Sequence, residues 1–265
     1  YDGGIQHILT RHEQGAVHAA DGYARSTGKV GVCIATSGPG ATNLVTGIAT
    51  ANMDSIPMVC ITCQVTRAQL GKDSFQEADM LGITAPITKH NFMVRDISRL
   101  PRILRKAFYL ASTGRPGPVV VDIPKDIFLQ EMEWDYPMDV TKFSWGYRAH
   151  DEGKLDQLKD ITEALSRSHF PVLFIGGGVL SAGVTEELKE FVETANIPVV
   201  SSLMGLSAFP TDHPLHLGMV GMHGTYAANM AVMHSDMLIG LGVRFDDRVT
   251  GILENFAPSA WIAQL

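Results

Sequence analysis

The chain has 265 residues, 45% apolar and 18% charged, about 1.8 domains at roughly 150 residues each. Its 21 basic and 28 acidic side chains leave a formal charge of −7, with no basic footprint for nucleic acid. No apolar run approaches the ~18 residues of a membrane span, and three cysteines are too few for a disulfide scaffold and suit a reducing cytosol. No secretory or transit segment is read at the start, and a beginning at Tyr1 rather than Met marks the chain as an expected piece of a longer protein.

In chain order, the alanines and Tyr23 between Glu13 and Thr27 predict a helix that Gly28 ends. Val30–Ala35 predicts a buried strand, Ser37-Gly38-Pro39-Gly40 a tight turn, and Ala41 to about Asn52 a second helix. A further buried strand is predicted from Pro57 to Thr62. Cys60 and Cys63 form a C-x-x-C within the apolar run Met58-Val59-Cys60-Ile61-Thr62-Cys63 that carries this strand, but positions three apart on a strand face opposite ways. With no second pair to complete a zinc set, the spacing argues against redox or metal chemistry. Gln64–Ala85 is irregular, Ser98–Ser112 has helical spacing, and Pro118–Ile123 is a Val-rich strand.

Residues 124–150 carry Trp134, Tyr136, Trp145 and Tyr147 without a period, which predicts a connecting segment. Alternation then resumes. A helix is predicted at Asp151–Ser166, a strand at Pro171–Ile175 and a helix at Thr185–Ala195 after Gly176-Gly177-Gly178. Strands at Ile197–Ser201 and Met237–Leu241 enclose a helix at Thr225–His234. Strand–helix alternation predicts an α/β fold of two parallel-sheet units, residues 1–130 and 151–265, joined by a linker over 131–150. Ligands are expected beyond the carboxyl ends of the strands.

Several positions could carry chemistry, each with two readings. Thr10 and Glu13 have capping-box spacing, yet a carboxylate at a helix start can also be the proton partner of a ligand nitrogen. Ser37–Gly40 is either a strand-to-helix turn or a set of backbone N–H groups for an anion. The glycine triplet breaks the G-x-G-x-x-G pattern at Ser181, so it is a flexible turn or a place where an extended ligand meets bare backbone. Arg244 and Arg248, interleaved with Asp246 and Asp247, are a self-neutralising cluster or a phosphate site. Arg115, Lys125 and Asp126 flank the strand at 118–123 as end charges or site residues. His223 is a packed histidine or a ligand contact.

The run Arg11-His12-Glu13-Gln14-Gly15-Ala16 with His18-Ala19-Ala20-Asp21-Gly22-Tyr23-Ala24-Arg25 resembles the glutamate helix of thiamine-diphosphate enzymes, and Thr36-Ser37-Gly38-Pro39-Gly40-Ala41-Thr42-Asn43 follows at that family's spacing. Asp73-Ser74-Phe75-Gln76-Glu77, Gly114-Arg115-Pro116-Gly117-Pro118-Val119, Asp122-Ile123-Pro124-Lys125-Asp126, Gly221-Met222-His223-Gly224-Thr225 and Val243-Arg244-Phe245-Asp246-Asp247-Arg248-Val249-Thr250-Gly251 are similar to segments of the acetolactate (acetohydroxyacid) synthase catalytic subunits, the last to their FAD-containing biosynthetic type. The resemblance runs nearly end to end.

It implies a pyrimidine-binding domain followed by a Rossmann-like central domain. It implies that Glu13 hydrogen-bonds N1′ of thiamine diphosphate and favours the imino tautomer that takes the proton from the thiazolium C2. Pyruvate is then decarboxylated, and the enamine condenses with pyruvate or 2-oxobutyrate, as in valine, leucine and isoleucine biosynthesis. Phe75, Gln76 and Lys125 match positions along the substrate's path, so Glu13, Gln76 and Lys125 are the catalytic candidates. Arg115, Gly176, Gly177, Gly178, Ser202, Leu203, Met222, His223, Gly242 and Arg244 match FAD-contacting segments, with FAD in a structural or conformational role.

The resemblance further implies a homodimer or homotetramer with the cleft between subunits, a small regulatory subunit, and a bacterial cytoplasmic setting, a plastid being the alternative. The family's first strand is expected before Tyr1, and its C-terminal domain, which holds Mg²⁺ and the diphosphate, after Leu265; the piece alone is not expected to catalyse. Two positions depart from the pattern: Cys63 stands in place of glycine, and Ser74 in place of alanine. A related carboligase, such as glyoxylate carboligase, would be expected to lack Glu13. A non-catalytic nucleotide-binding module on the same α/β units is the reading from another class.

Overall fold

A computed structural model describes residues 4–135, 147 and 153–265. Most of the predicted linker, including Tyr136 and Trp145, and the first two residues of the helix predicted from Asp151 lie outside the described residues. The chain divides into two compact units, 1–151 and 152–265.

The first unit runs α1 (Glu13–Thr27), β1 (Gly31–Ala35), α2 (Pro39–Thr42), α3 (Val45–Asp54), β2 (Met58–Gln64), α4 (Met80–Thr84), β3 (His90–Met93), α5 (Leu100–Ser112), β4 (Pro118–Pro124) and α6 (Lys125–Phe128). Its described strands form one parallel sheet in the order β1-β2-β4-β3. Alternation along the strands splits the core in two. Val17, Ala20, Leu44 and Ile48 of the α1/α3 side pack on Met58, Cys60 and Val120. Ala107, Leu110 and Ala111 of α5 pack on Val59, Val119, Val121 and Ile123 from the other side. α1 comes close because α3 has no side chain at Gly47, where a Cβ would stand 2.3 Å from Val17 Cγ1.

β1 is not the buried strand its apolar run predicts. It is a sheet edge with alternating burial, and Val32 and Ile34 are exposed. The helix predicted from Ala41 to Asn52 is two helices, broken at Asn43-Leu44. Cys60 sits in the α1/α3 core with Cys33, its register partner across β1 and β2, while Cys63 is half-buried. Tyr147, from the predicted linker, donates its hydroxyl to the carbonyl of Thr113 at 2.8 Å and meets the Tyr109 ring edge-on.

The second unit runs α7 (Leu155–Arg167), β5 (Pro171–Ile175), α8 (Gly177–Ala182), α9 (Thr185–Ala195), β6 (Val199–Ser201), β7 (His216–Met219), α10 (Tyr226–His234), β8 (Met237–Leu241), α11 (Asp247–Thr250) and β9 (Trp261–Gln264). The strands form a parallel sheet ordered β7-β6-β5-β8-β9, again with apolar cores on both faces. The strand at 171–175 and the helix at 185–195 fall where their patterns predict. β3, β7 and β9 were not predicted. Each is a four-residue edge strand without the unbroken apolar run that a central strand needs. Among the described residues no helix is long and apolar enough to cross a membrane.

Candidate active site and cofactor edge

In the first unit, Glu13 is the first residue of α1 and His12 is its N-cap, with Nδ1 of His12 accepting from the Gln14 N–H at 3.1 Å. The capping-box expectation is therefore overturned. Thr10 does not cap; its hydroxyl donates to the His12 carbonyl. Glu13, two positions too early to reach back as a capping-box acid, is free to turn its carboxylate sideways. There Oε2 accepts from Asn43 Nδ2 at 3.0 Å, and Oε1 lies 3.2 Å from where a Cβ on Gly40 would stand. The helix break at Asn43-Leu44 presents that carboxamide. The Asn43 hydrogen bond first, then the residue's own N–H, hold the Glu13 carboxyl below its ordinary range. A half-exposed, ionised carboxylate beside a turn of bare backbone fits the protonated ring nitrogen of an aminopyrimidine.

The turn Ser37–Gly40 is mainly a bed for another loop. Gly38 has φ +61°, and a Cβ there would stand 2.8 Å from the Cα, Cβ and carbonyl oxygen of Gln76. Gln76 is itself left-handed, with φ +59°. Gln76 and Phe75 are exposed, Phe75 to 88%. Their loop is stitched internally: the Glu77 carboxylate accepts from the N–H groups of Gly71 and Ser74, and Ser74 Oγ donates to Gln69 O at 2.9 Å. The departure from alanine at Ser74 thus adds a hydrogen bond to this loop. Lys125 opens α6 at the carboxyl end of β4 and is exposed.

One group went unread in the sequence. Asp122 on β4 is fully buried and accepts from Thr62 Oγ1 at 2.6 Å and Gln64 Nε2 at 3.2 Å. Desolvation pushes its carboxyl up to about 6, against those two hydrogen bonds and with a smaller push from Asp79. Only the motif around Lys125 hinted at it.

Arg115 stands apart from these residues. It lies before β4, at the opposite end of that strand from Lys125, and its Nε donates to Ser55 Oγ at 2.7 Å.

The remaining candidates gather at the carboxyl edge of the second sheet: the triplet after β5, Ser202 and Leu203 after β6, Met222 and His223 after β7, Gly242 and Arg244 after β8. The triplet is not a flexible turn. Gly176 caps α8, and Gly177 and Gly178 are its first residues. Its bare backbone meets Gly242 before any ligand: a Cβ on Gly176 would stand 2.3 Å from Gly242 O, and one on Gly178 would stand 2.5 Å from Gly242 Cα. The Gly178 N–H donates to Gly242 O at 3.0 Å. His223 is exposed rather than packed. Arg244 Nη2 pairs with Asp246 Oδ2 at 3.0 Å, so part of the self-neutralising reading holds. On this edge Leu203 and Met222 are 71% and 65% exposed, and the backbone at Gly178 and Gly242 is exposed as well. An apolar, side-chain-poor edge of that kind fits an extended aromatic cofactor.

Among the described residues no group of three or more metal-ligating side chains occurs.

The geometry, two parallel α/β units with a glutamate poised at the first helix, is that of a coenzyme-binding α/β protein. The description "thiamine pyrophosphate enzyme, N-terminal TPP binding domain" matches residues 1–83, and "thiamine pyrophosphate enzyme, central domain" matches residues 158–265; the chain belongs to the thiamine pyrophosphate enzymes. Within them it is 55% identical over 258 residues to the acetolactate synthase large subunit of Corynebacterium glutamicum, covering 97% of this chain and 41% of that protein. It is 51% identical over 265 residues to the acetolactate synthase isozyme 3 large subunit of Escherichia coli, covering 99% and 46%. With the acetolactate synthase of Arthrospira platensis the identity is 53% over 266 residues, covering 99% and 46%. The chain thus spans less than half the length of these relatives.

Proposed function

We propose that this chain supplies the pyrimidine-facing and central domains of an acetolactate synthase catalytic subunit, which condenses pyruvate with pyruvate or 2-oxobutyrate. The observation that carries the reading is the Glu13 carboxylate, ionised and held by Asn43 against the Gly38–Gly40 turn; the relatives' names support it. When bound, thiamine diphosphate supplies an electron sink for decarboxylation and carbon–carbon bond formation. Glu13 holds the proton at N1′ of the aminopyrimidine, a charge-assisted hydrogen bond. Lys125 draws in the anionic 2-oxo acid, and Gln76 with Phe75 lines its path.

The carboxyl edge of the second unit holds FAD in a structural or conformational role. Mg²⁺ and the diphosphate belong to a C-terminal domain outside these residues. The working form is a homodimer or homotetramer in the bacterial cytoplasm; the relatives' "large subunit" names support a small regulatory subunit beside it.

The test is product analysis of the holoenzyme. Pyruvate alone should yield CO₂ and 2-acetolactate, and added 2-oxobutyrate should yield 2-aceto-2-hydroxybutyrate. Turnover of pyruvate without acetolactate, or preference for glyoxylate, would overturn the reading.

A further inference from the structure

Lys125 stands between two aspartates, and each reaches across to one end of the loop that carries Gln76. On one side is Asp122, fully buried and receiving two neutral donors, Thr62 Oγ1 at 2.6 Å and Gln64 Nε2 at 3.2 Å. The same Gln64 Nε2 donates to the carbonyl of Ala78 at 2.6 Å, two residues past Gln76, while Gln64 Oε1 accepts from the Val65 N–H. On the other side is Asp126, whose two carboxylate oxygens take the Arg67 N–H at 2.9 Å and Arg67 Nε at 2.6 Å. Arg67 Nη1 also reaches the carbonyl of Arg95 at 2.9 Å.

Between these two anchors the loop is stiffened by Glu77 and Ser74 and rests on Gly38. Stability is a poor explanation for either anchor. A buried carboxylate served only by neutral donors costs the fold free energy, and a half-exposed ion pair returns little. What the two contacts do is specify geometry: a two-point carboxylate contact fixes orientation as well as distance.

We propose that Asp122, acting through Gln64, and Asp126, acting through Arg67, are positioning residues that hold the Phe75-Gln76 loop in register with Lys125. This rests on the reading that Gln76 and Lys125 face the substrate. Sub-ångström placement matters there, because a misplacement of about 1 Å can cost about 100-fold in rate.

The experiment is a double-mutant cycle on the holoenzyme, saturated with thiamine diphosphate, Mg²⁺ and FAD and assayed with pyruvate. Asp126→Ala should lower kcat/KM about tenfold, mostly through KM, with coenzyme affinity and Tm little changed. Asp126→Asn, which keeps an acceptor for the Arg67 N–H, should recover most of the loss. In a Gln76→Ala background, Asp126→Ala should cost less than about twofold, because the residue it positions is gone. Gln64→Met should behave alike; should that buried change prevent folding, the Asp126 cycle decides alone. An equal cost of Asp126→Ala with and without Gln76, or no loss at all, overturns the clamp. A Gln76→Ala enzyme with unchanged kcat/KM overturns instead the reading of Gln76, and the clamp with it.

Discussion

The carboxamide of Asn43 donates to the carboxylate of Glu13 at 3.0 Å across 30 residues of sequence. It joins the start of α1 to the gap between α2 and α3. This contact favours the ionised carboxylate and holds it beside the Gly38–Gly40 turn. Glu13→Gln keeps the shape and removes the charge, so it should slow proton exchange at C2 of bound thiamine diphosphate by about 100-fold or more, with flavin content unchanged. Hydrogen–deuterium exchange followed by NMR after acid quench measures this, and wild-type exchange would refute the role.

Asp122 makes a pH prediction of unusual sign. Its carboxyl is raised from 3.8 to about 6, so the folded state binds the proton more tightly than the unfolded one. The favourable term is complete below about pH 4 and lost as pH rises through about 6; above that it changes no further. The gap of about two units corresponds to roughly 3 kcal/mol. Asp79 and the half-buried Cys63 are the ionisable groups whose charge couples to it. Asp122→Asn keeps an acceptor for Thr62, so the slope in denaturation midpoint between pH 4 and 6 should flatten. An unchanged slope would place the titration elsewhere.

At Gly47 two effects oppose each other. Alanine favours a helix interior by about 1 kcal/mol over glycine, but here the new methyl would meet Val17 Cγ1 at 2.3 Å. Val17 is fully buried, so α1 must shift, and overpacking of this kind costs about 1–3 kcal/mol. Gly47→Ala should therefore be destabilising in urea titration. A gain in stability would mean that α1 is seated less tightly than its contacts require.

Arg244 follows β8 at the proposed flavin edge and pairs with Asp246. Arg244→Ala should weaken flavin retention more than thiamine diphosphate binding, as read by fluorescence of released flavin and by coenzyme titration. Equal losses, or none in flavin, would count against the assignment.

What could be read in advance follows burial. β2, β4, β5 and β8 lie between neighbours in their sheets and carry apolar runs, so they were legible. β3, β7 and β9 lie at edges, need no such runs and were missed. The apolar Val32 and Ile34 predict a buried β1, yet apolar composition cannot report whether a neighbour covers the face. The candidate site divides the same way. Glu13, Gln76 and Lys125 stood out through local motifs, whereas Asn43, Gln64 and Asp122 act through partners far away in the chain.

By itself, then, the sequence determined the alternating strand–helix order, the parallel α/β class and the family motifs, all of which are local patterns of burial and spacing. The tertiary structure alone decided that Thr10 and Glu13 form no capping box, that Gly176 and Gly178 are bare because Gly242 presses against them, and that a buried aspartate joins β2 to β4. Those outcomes depend on strand register and on the paths of loops between the strands. Two residues tens of positions apart leave no periodic trace of the hydrogen bond they share.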